Sequence, residues 1–214
     1  MIFGKIEYLN LLPFHVFMKR FTKSSSQKIA LHYKKGVPAK INKEFIARRV
    51  DAAFISSINS KKFRYVNLGI VAKKSVLSVI VIPHANNKND KESATSNILA
   101  KILKIQGEVL IGDKALRYIL AGGEYVDLAK VWNEKYNLPF VFATLCYHKD
   151  EKMYKKIEKN FLKKEIKIPQ YILKQASKNS SIPPKYILNY LKHISYKLDS
   201  KAKLGLKLFI KKSS

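Results

Sequence analysis

The chain is poor in cysteine, in acid and in long apolar runs. A single cysteine, Cys146, excludes an internal disulfide and any cysteine-based zinc cluster. No apolar run approaches the roughly 20 residues of a membrane-spanning helix. The longest, residues 76–83 and 138–147, are strand-sized. Glu7, Asn10 and Pro13 interrupt any secretory h-region, so a cytoplasmic protein is expected. Fifteen acidic residues stand against 42 Lys and Arg, a net charge of +27 in 214 residues. Such a balance suits nucleic acid, an acidic surface or an anionic substrate. The charge is +14 over residues 1–146 and +13 over 147–214, with no block of five like charges. It is therefore a dispersed charge rather than a basic arm.

Catalytic motifs are scarce as well. The five histidines have no metal-ligand spacing, and G-x-S-x-G and G-x-G-x-x-G are missing. The stretch from Gly107 to Lys114 imitates a phosphate loop, but its lysine is one place late and no Ser or Thr follows. Metal, nucleotide and flavin are unsupported, and no cofactor is expected.

What is present is an alternation of strands and helices. Strands are expected at residues 2–8, 28–33, 51–55, 65–72, 76–83, 108–111 and 139–147. Helices are expected at 12–21, 38–50, 95–105, 113–120 and 128–136, then at 151–161, 169–177, 184–198 and 200–209. Trp132 and Phe140 read as core. The pattern gives an α/β fold with a mainly parallel sheet and a helical C-terminus. A polar break near residue 84 and a strand ending near 146 suggest a two-lobed fold of the type II periplasmic-binding-protein kind. One lobe would take residues 1–82 and 146–214, the other 83–145, with a ligand cleft between the lobes.

Hydroxyl and amide groups remain for chemistry: Asn10, Ser56, Ser57, Ser78, Thr95 and Ser96. At helix N-termini such groups bind carboxylates, because hydroxyls, free amides and the helix dipole all favour an anion. Each also reads as a simple helix cap or a small buried residue.

An ordered set of segments then carries a resemblance. It runs through Tyr8-Leu9-Asn10-Leu11-Leu12-Pro13-Phe14, Gly36-Val37-Pro38-Ala39, Val50-Asp51-Ala52-Ala53-Phe54-Ile55-Ser56-Ser57-Ile58 and Ile111-Gly112-Asp113-Lys114-Ala115-Leu116. Asp127-Leu128, Trp132 and Leu138-Pro139-Phe140-Val141-Phe142-Ala143 follow, and then a C-terminal Ile182-Pro183-Pro184, Tyr190-Leu191, Ile194-Ser195-Tyr196-Lys197-Leu198, Gly205-Leu206 and Phe209. This resembles the chorismate dehydratases of the futalosine route to menaquinone, over essentially the whole chain. The resemblance implies a cofactor-free carbon–oxygen lyase that eliminates water from chorismate, a dianion, to give 3-[(1-carboxyvinyl)oxy]benzoate. It implies Asn10 and Ser78 as catalytic residues and Ser56, Ser57, Thr95 and Ser96 as substrate-binding residues. Asp113 reads instead as the N-cap of the helix that follows it. Leu11, Glu7 and Asn97 depart from the family pattern. A solute-binding protein of the same fold and a basic nucleic-acid binder are the competing readings. No nucleic acid or membrane partner is expected, and the sequence leaves the oligomeric state open.

Overall fold

The structure, a computed structural model, describes residues 1–24 and 31–213. Residues 28–30 of the expected second strand lie outside the described residues. Two sheets organise the chain. The larger contains β1 (Ile2–Lys5), β2 (His32–Lys35), β3 (Ala52–Ser56), β4 (Arg64–Ala72), β8 (Phe140–Tyr147) and β9 (Ile194–Lys197) in the order β2-β1-β3-β8-β4-β9. The smaller contains β5 (Val79–Ile82), β6 (Glu108–Ile111) and β7 (Val126–Asp127) in the order β6-β5-β7.

The mainly parallel sheet expected from the alternation is corrected to a mixed one. β1 runs parallel to β2 and β3, but every other pairing of these strands is antiparallel. The cause is topological. The chain leaves the large sheet after β4, builds the small sheet, and returns from the far side as β8, wedged between β3 and β4. Sheet pairing also assigns β5 to the small sheet and all of β8 to the large one. Residues 79–82 and 140–145 thus sit on the sides opposite those expected. Composition marks the polar loop at 84–93, whereas the crossing itself is the short segment 73–78, whose two lysines and two serines flank Val76 and Leu77.

Local chemistry fixes the helix ends. Pro38 opens α2 (Pro38–Ile46) at the position where a missing N–H costs nothing. Asp127 caps α6 (Leu128–Tyr136) by accepting from the amides of Ala129 (2.9 Å) and Lys130 (3.0 Å). Its other oxygen accepts from Val76 (2.9 Å) and Leu77 (2.7 Å) on the first crossing. Helices α7 (Glu151–Leu162), α8 (Gln170–Ser180), α9 (Pro184–Leu191) and α10 (Ser200–Lys212) form the C-terminal region. The single helix expected over 184–198 is instead α9 followed by β9. The alternation in Ile194-Ser195-Tyr196-Lys197 is too short to outweigh the helical pattern before it, and pairing with the edge of β4 decides. Gly205 on α10 lies against the second crossing so closely that a Cβ would sit 2.1 Å from the Pro139 carbonyl oxygen. None of the helices among the described residues is long and apolar enough to cross a membrane.

The core is largely aromatic. On α1 (Leu12–Ser24), Phe14 meets Phe54 edge-on at 5.0 Å between centroids and Phe161 at 5.3 Å, with Phe3 at 5.8 Å. Trp132 is fully buried, with Phe140 at 5.2 Å, as expected from the sequence.

His15, beside Phe14, is held by a 2.8 Å bond between its Nε2 and the carbonyl of Ile6. Burial lowers its pKa from 6.5 to about 4, against the opposing pull of that carbonyl. The folded protein keeps the ring neutral, whereas the unfolded chain takes up a proton near its ordinary value. The resulting stability is present above about pH 6.5 and lost as the pH falls towards 4. It should amount to about 2–3 kcal/mol. Urea unfolding midpoints between pH 7 and 4 check this, because His15→Gln should lose its share of the acid sensitivity.

Candidate functional site

A cavity of about 70 Å³ lies between the two sheets, smaller than the roughly 300–1,000 Å³ of small-molecule sites, so a ligand fits only when the two sides part. The large sheet contributes Phe54, Ser56, Ile70, Phe142 and Ala143, and the 3-10 turn Leu9–Leu11 contributes Asn10 and Leu11. The first crossing contributes Val76 and Ser78. The far side supplies Ser93, Ser96, Ile111 and Gly112. Four of the six sequence-predicted residues, Asn10, Ser56, Ser78 and Ser96, therefore meet in one cavity.

The other two serve elsewhere. Ser57 is fully buried on α3 (Ser57–Ser60) and donates to the carbonyl of Val141 at 2.5 Å. Thr95 Oγ1 accepts from the amide of Ile58 at 3.3 Å, joining α3 to α4 (Ala94–Leu103). Neither lines the cavity.

Each cavity residue is held from behind. Tyr196 on β9 donates from its hydroxyl to the backbone carbonyl of Asn10 at 2.7 Å. Asn10 Oδ1 itself is enclosed and has no partner among the described residues. Ser78 Oγ accepts from the Tyr190 hydroxyl at 2.8 Å. Ser56 Oγ accepts a short bond from Asn42 Nδ2 and a longer one from Asn59 Nδ2 at 3.3 Å. Ser93 caps α4, with its Oγ accepting from Ser96 N at 3.2 Å and lying 2.8 Å from Ser96 Oγ. The amides of Ala94 and Thr95 precede the first intrahelical bond, and the helix dipole adds to their pull on an anion.

Contacts across the cleft hold it closed. The Tyr8 hydroxyl donates to Glu92, which also pairs with Lys114 at 3.3 Å. The Tyr8 ring lies against Gly112, whose φ of +60° and 3.0 Å clearance both favour glycine. Asp113 does not cap its helix. It sits inside the first turn of α5 (Gly112–Leu120), and its Oδ1 accepts from the amide of Leu9 at 3.4 Å. The capping expectation fails because the chain already turns into helix at Gly112. Asn97 closes the loop before α4 by bonding both the amide (2.9 Å) and the carbonyl (2.8 Å) of Asp90.

Among the described residues, no Lys, Arg, His, Asp or Glu lines the cavity; its polar lining is hydroxyl, carboxamide and backbone. The basic excess therefore lies outside the cavity lining. Sequence reasoning missed Asn42, Tyr190 and Tyr196. Their partners are 14, 112 and 186 residues away, beyond any local pattern.

Comparison with known proteins gives the family. A family model described as menaquinone biosynthesis matches residues 1–107 and 104–214. The chain is 48% identical over 215 residues to the chorismate dehydratase of Campylobacter jejuni, covering 99% of this chain and 96% of that one. It is 23% identical to the chorismate dehydratase of Thermus thermophilus, covering 97% and 93% of the two chains. Among solved structures, an Archaeoglobus fulgidus protein superposes with a TM-score of 0.76 at 11% identity, covering 99% of this chain and 96% of that one. The periplasmic aliphatic sulphonate binding protein of Escherichia coli superposes at 0.60 and 11% identity, covering 99% and 85%. These structural likenesses establish the periplasmic-binding-protein fold. With its whole length matched by the family model and by a close relative, the chain belongs to the menaquinone-biosynthesis family that includes these chorismate dehydratases.

Proposed function

We propose that the protein eliminates water from chorismate to give 3-[(1-carboxyvinyl)oxy]benzoate, acting as a carbon–oxygen lyase without metal or organic cofactor. The observation that carries this reading is the cavity's lining. A carboxamide oxygen without a partner stands among hydroxyl donors, and no acid or base of the described residues surrounds it.

The chemistry asks for little more. The proton at C3 of chorismate is vinylogous to the ring carboxylate, so a carbanion formed there is delocalised. Loss of the C4 hydroxyl then completes an aromatic ring. Ser56, Ser78 and Ser96 donate to carboxylate oxygens, and the start of α4 adds its amides and dipole. Asn10 Oδ1 accepts from the C4 hydroxyl and fixes the leaving group. With no protein base in the lining, the substrate's side-chain carboxylate takes the C3 proton and returns it to the departing hydroxide as water. Exclusion of solvent by the closed cleft strengthens each of these contacts.

The test is incubation of the purified protein with chorismate and a chelator. The expected result is an aromatic enolpyruvyl product lighter than chorismate by one water. Chorismate binding without turnover by folded protein would leave a solute-binding function and overturn the enzymatic one.

A further inference from the structure

We infer that Asn42 and Tyr190 are positioning residues that fix the protons of Ser56 and Ser78, so that both hydroxyls keep their protons for the ligand. This selects carboxylate oxygens at two places in the cavity, and it rests on the cavity being the substrate site.

The reasoning starts from proton accounting. A hydroxyl has one proton to give and two lone pairs to accept with. Tyr190 is buried on α9, and among the described residues its hydroxyl has Ser78 Oγ as its partner, at 2.8 Å. Burial also keeps the phenol protonated, raising its pKa. A buried O–H must donate, and here Ser78 is the acceptor available to it. Ser78, 2% exposed, is then left with its own proton for the cavity.

Asn42 imposes the same polarity on Ser56 in a different way. Its Oδ1 accepts from the Ser56 amide at 3.1 Å, so the carboxamide cannot be flipped without losing that bond. Its Nδ2 must therefore face Ser56 Oγ. With Asn59 Nδ2 donating as well, both lone pairs of the hydroxyl are engaged. The Ser56 proton is free only towards the cavity. Neither Asn42 nor Tyr190 lines the cavity, so each acts through a serine.

The substitution Asn42→Asp provides the discriminating test. When ionised, the introduced carboxylate accepts only, draws the Ser56 proton inward and repels the substrate. When protonated, it offers one donor and one acceptor, as the native carboxamide does. At about pH 8 the variant's kcat/KM, relative to the unaltered protein, should fall at least about tenfold, mostly in KM. The ratio should recover as the pH drops towards about 5. Tyr190→Phe should lower kcat/KM about tenfold at every pH with an unchanged melting temperature. Ser56→Ala and Ser78→Ala serve as references. If both leave kcat/KM unchanged, the cavity reading fails. If they lower it while Tyr190→Phe does not, or while the Asn42→Asp ratio is flat with pH, the positioning inference fails. Should Asn42→Asp not fold, Tyr190→Phe decides alone.

Discussion

Truncating Asn10 to alanine should lower kcat by about 10²–10³-fold, the usual effect of deleting one preorganised group at a reacting oxygen. It should not lower the melting temperature. The turn that carries Asn10 is held by backbone: the Leu11 amide donates to the Tyr8 carbonyl at 3.0 Å, and Tyr196 donates to the Asn10 carbonyl at 2.7 Å. Neither bond involves the carboxamide. Asn10 Oδ1 has no donor among the described residues. Its removal breaks no hydrogen bond among those residues, so stability should hold while turnover collapses. Parallel measurement of kcat and of the thermal midpoint separates the two. A fallen midpoint with intact kcat would make Asn10 a structural turn residue.

The second large effect falls on stability. Phe14→Ala should cost about 3–5 kcal/mol, because the ring is fully buried and its neighbours are rings that cannot collapse into the gap. Phe3, Phe54 and Phe161 each lose an aromatic contact. Small folded proteins are stable by only about 5–15 kcal/mol, so the variant should be close to unfolding at growth temperature. Urea midpoints measure the change. Cys146 offers a second readout, since burial pushes its thiol up to about 12 and shields it from thiol reagents. Its alkylation should therefore track global opening and accelerate in Phe14→Ala. A loss below about 1 kcal/mol would mean that the aromatic cluster repacks around the void.

How much of this can be read from the sequence depends on the range of the interaction. Helix starts at Pro38 and Asp127 are legible because a cap is written within three residues of what it caps. Asn10, Ser56, Ser78 and Ser96 are legible as short polar side chains inside apolar or helix-opening segments, helped by the ordered family segments. Ser57 and Thr95 have the same local signature, yet they point at Val141 and Ile58. Side-chain direction at a helix start depends on the local backbone turn, which composition does not encode. Strand polarity fails for a related reason. The apolar run in β8 reads the same in either direction, and only the return from the small sheet sets its sense. Tyr190 and Tyr196 stand in the family-like C-terminal segments, but their role is not legible, because it exists only once the C-terminal region has folded back onto the first crossing and the Asn10 turn.

The carboxylate of Asp127 has a mechanical consequence. By gripping Val76 and Leu77 with one oxygen and the start of α6 with the other, it welds the end of the first crossing to the small-sheet side. The second crossing is pinned where α10 presses Gly205 onto the Pro139 carbonyl. Any swing that lets substrate in must then be taken up by torsion in the three residues between β4 and that weld, Lys73, Lys74 and Ser75. Ser78 lies between that weld and the small sheet and is also held by Tyr190 on α9, whereas Ser56 belongs to the large sheet. Parting the two sides would separate the polar residues that meet in the cavity, so the proposed site would be assembled by the same movement that closes it.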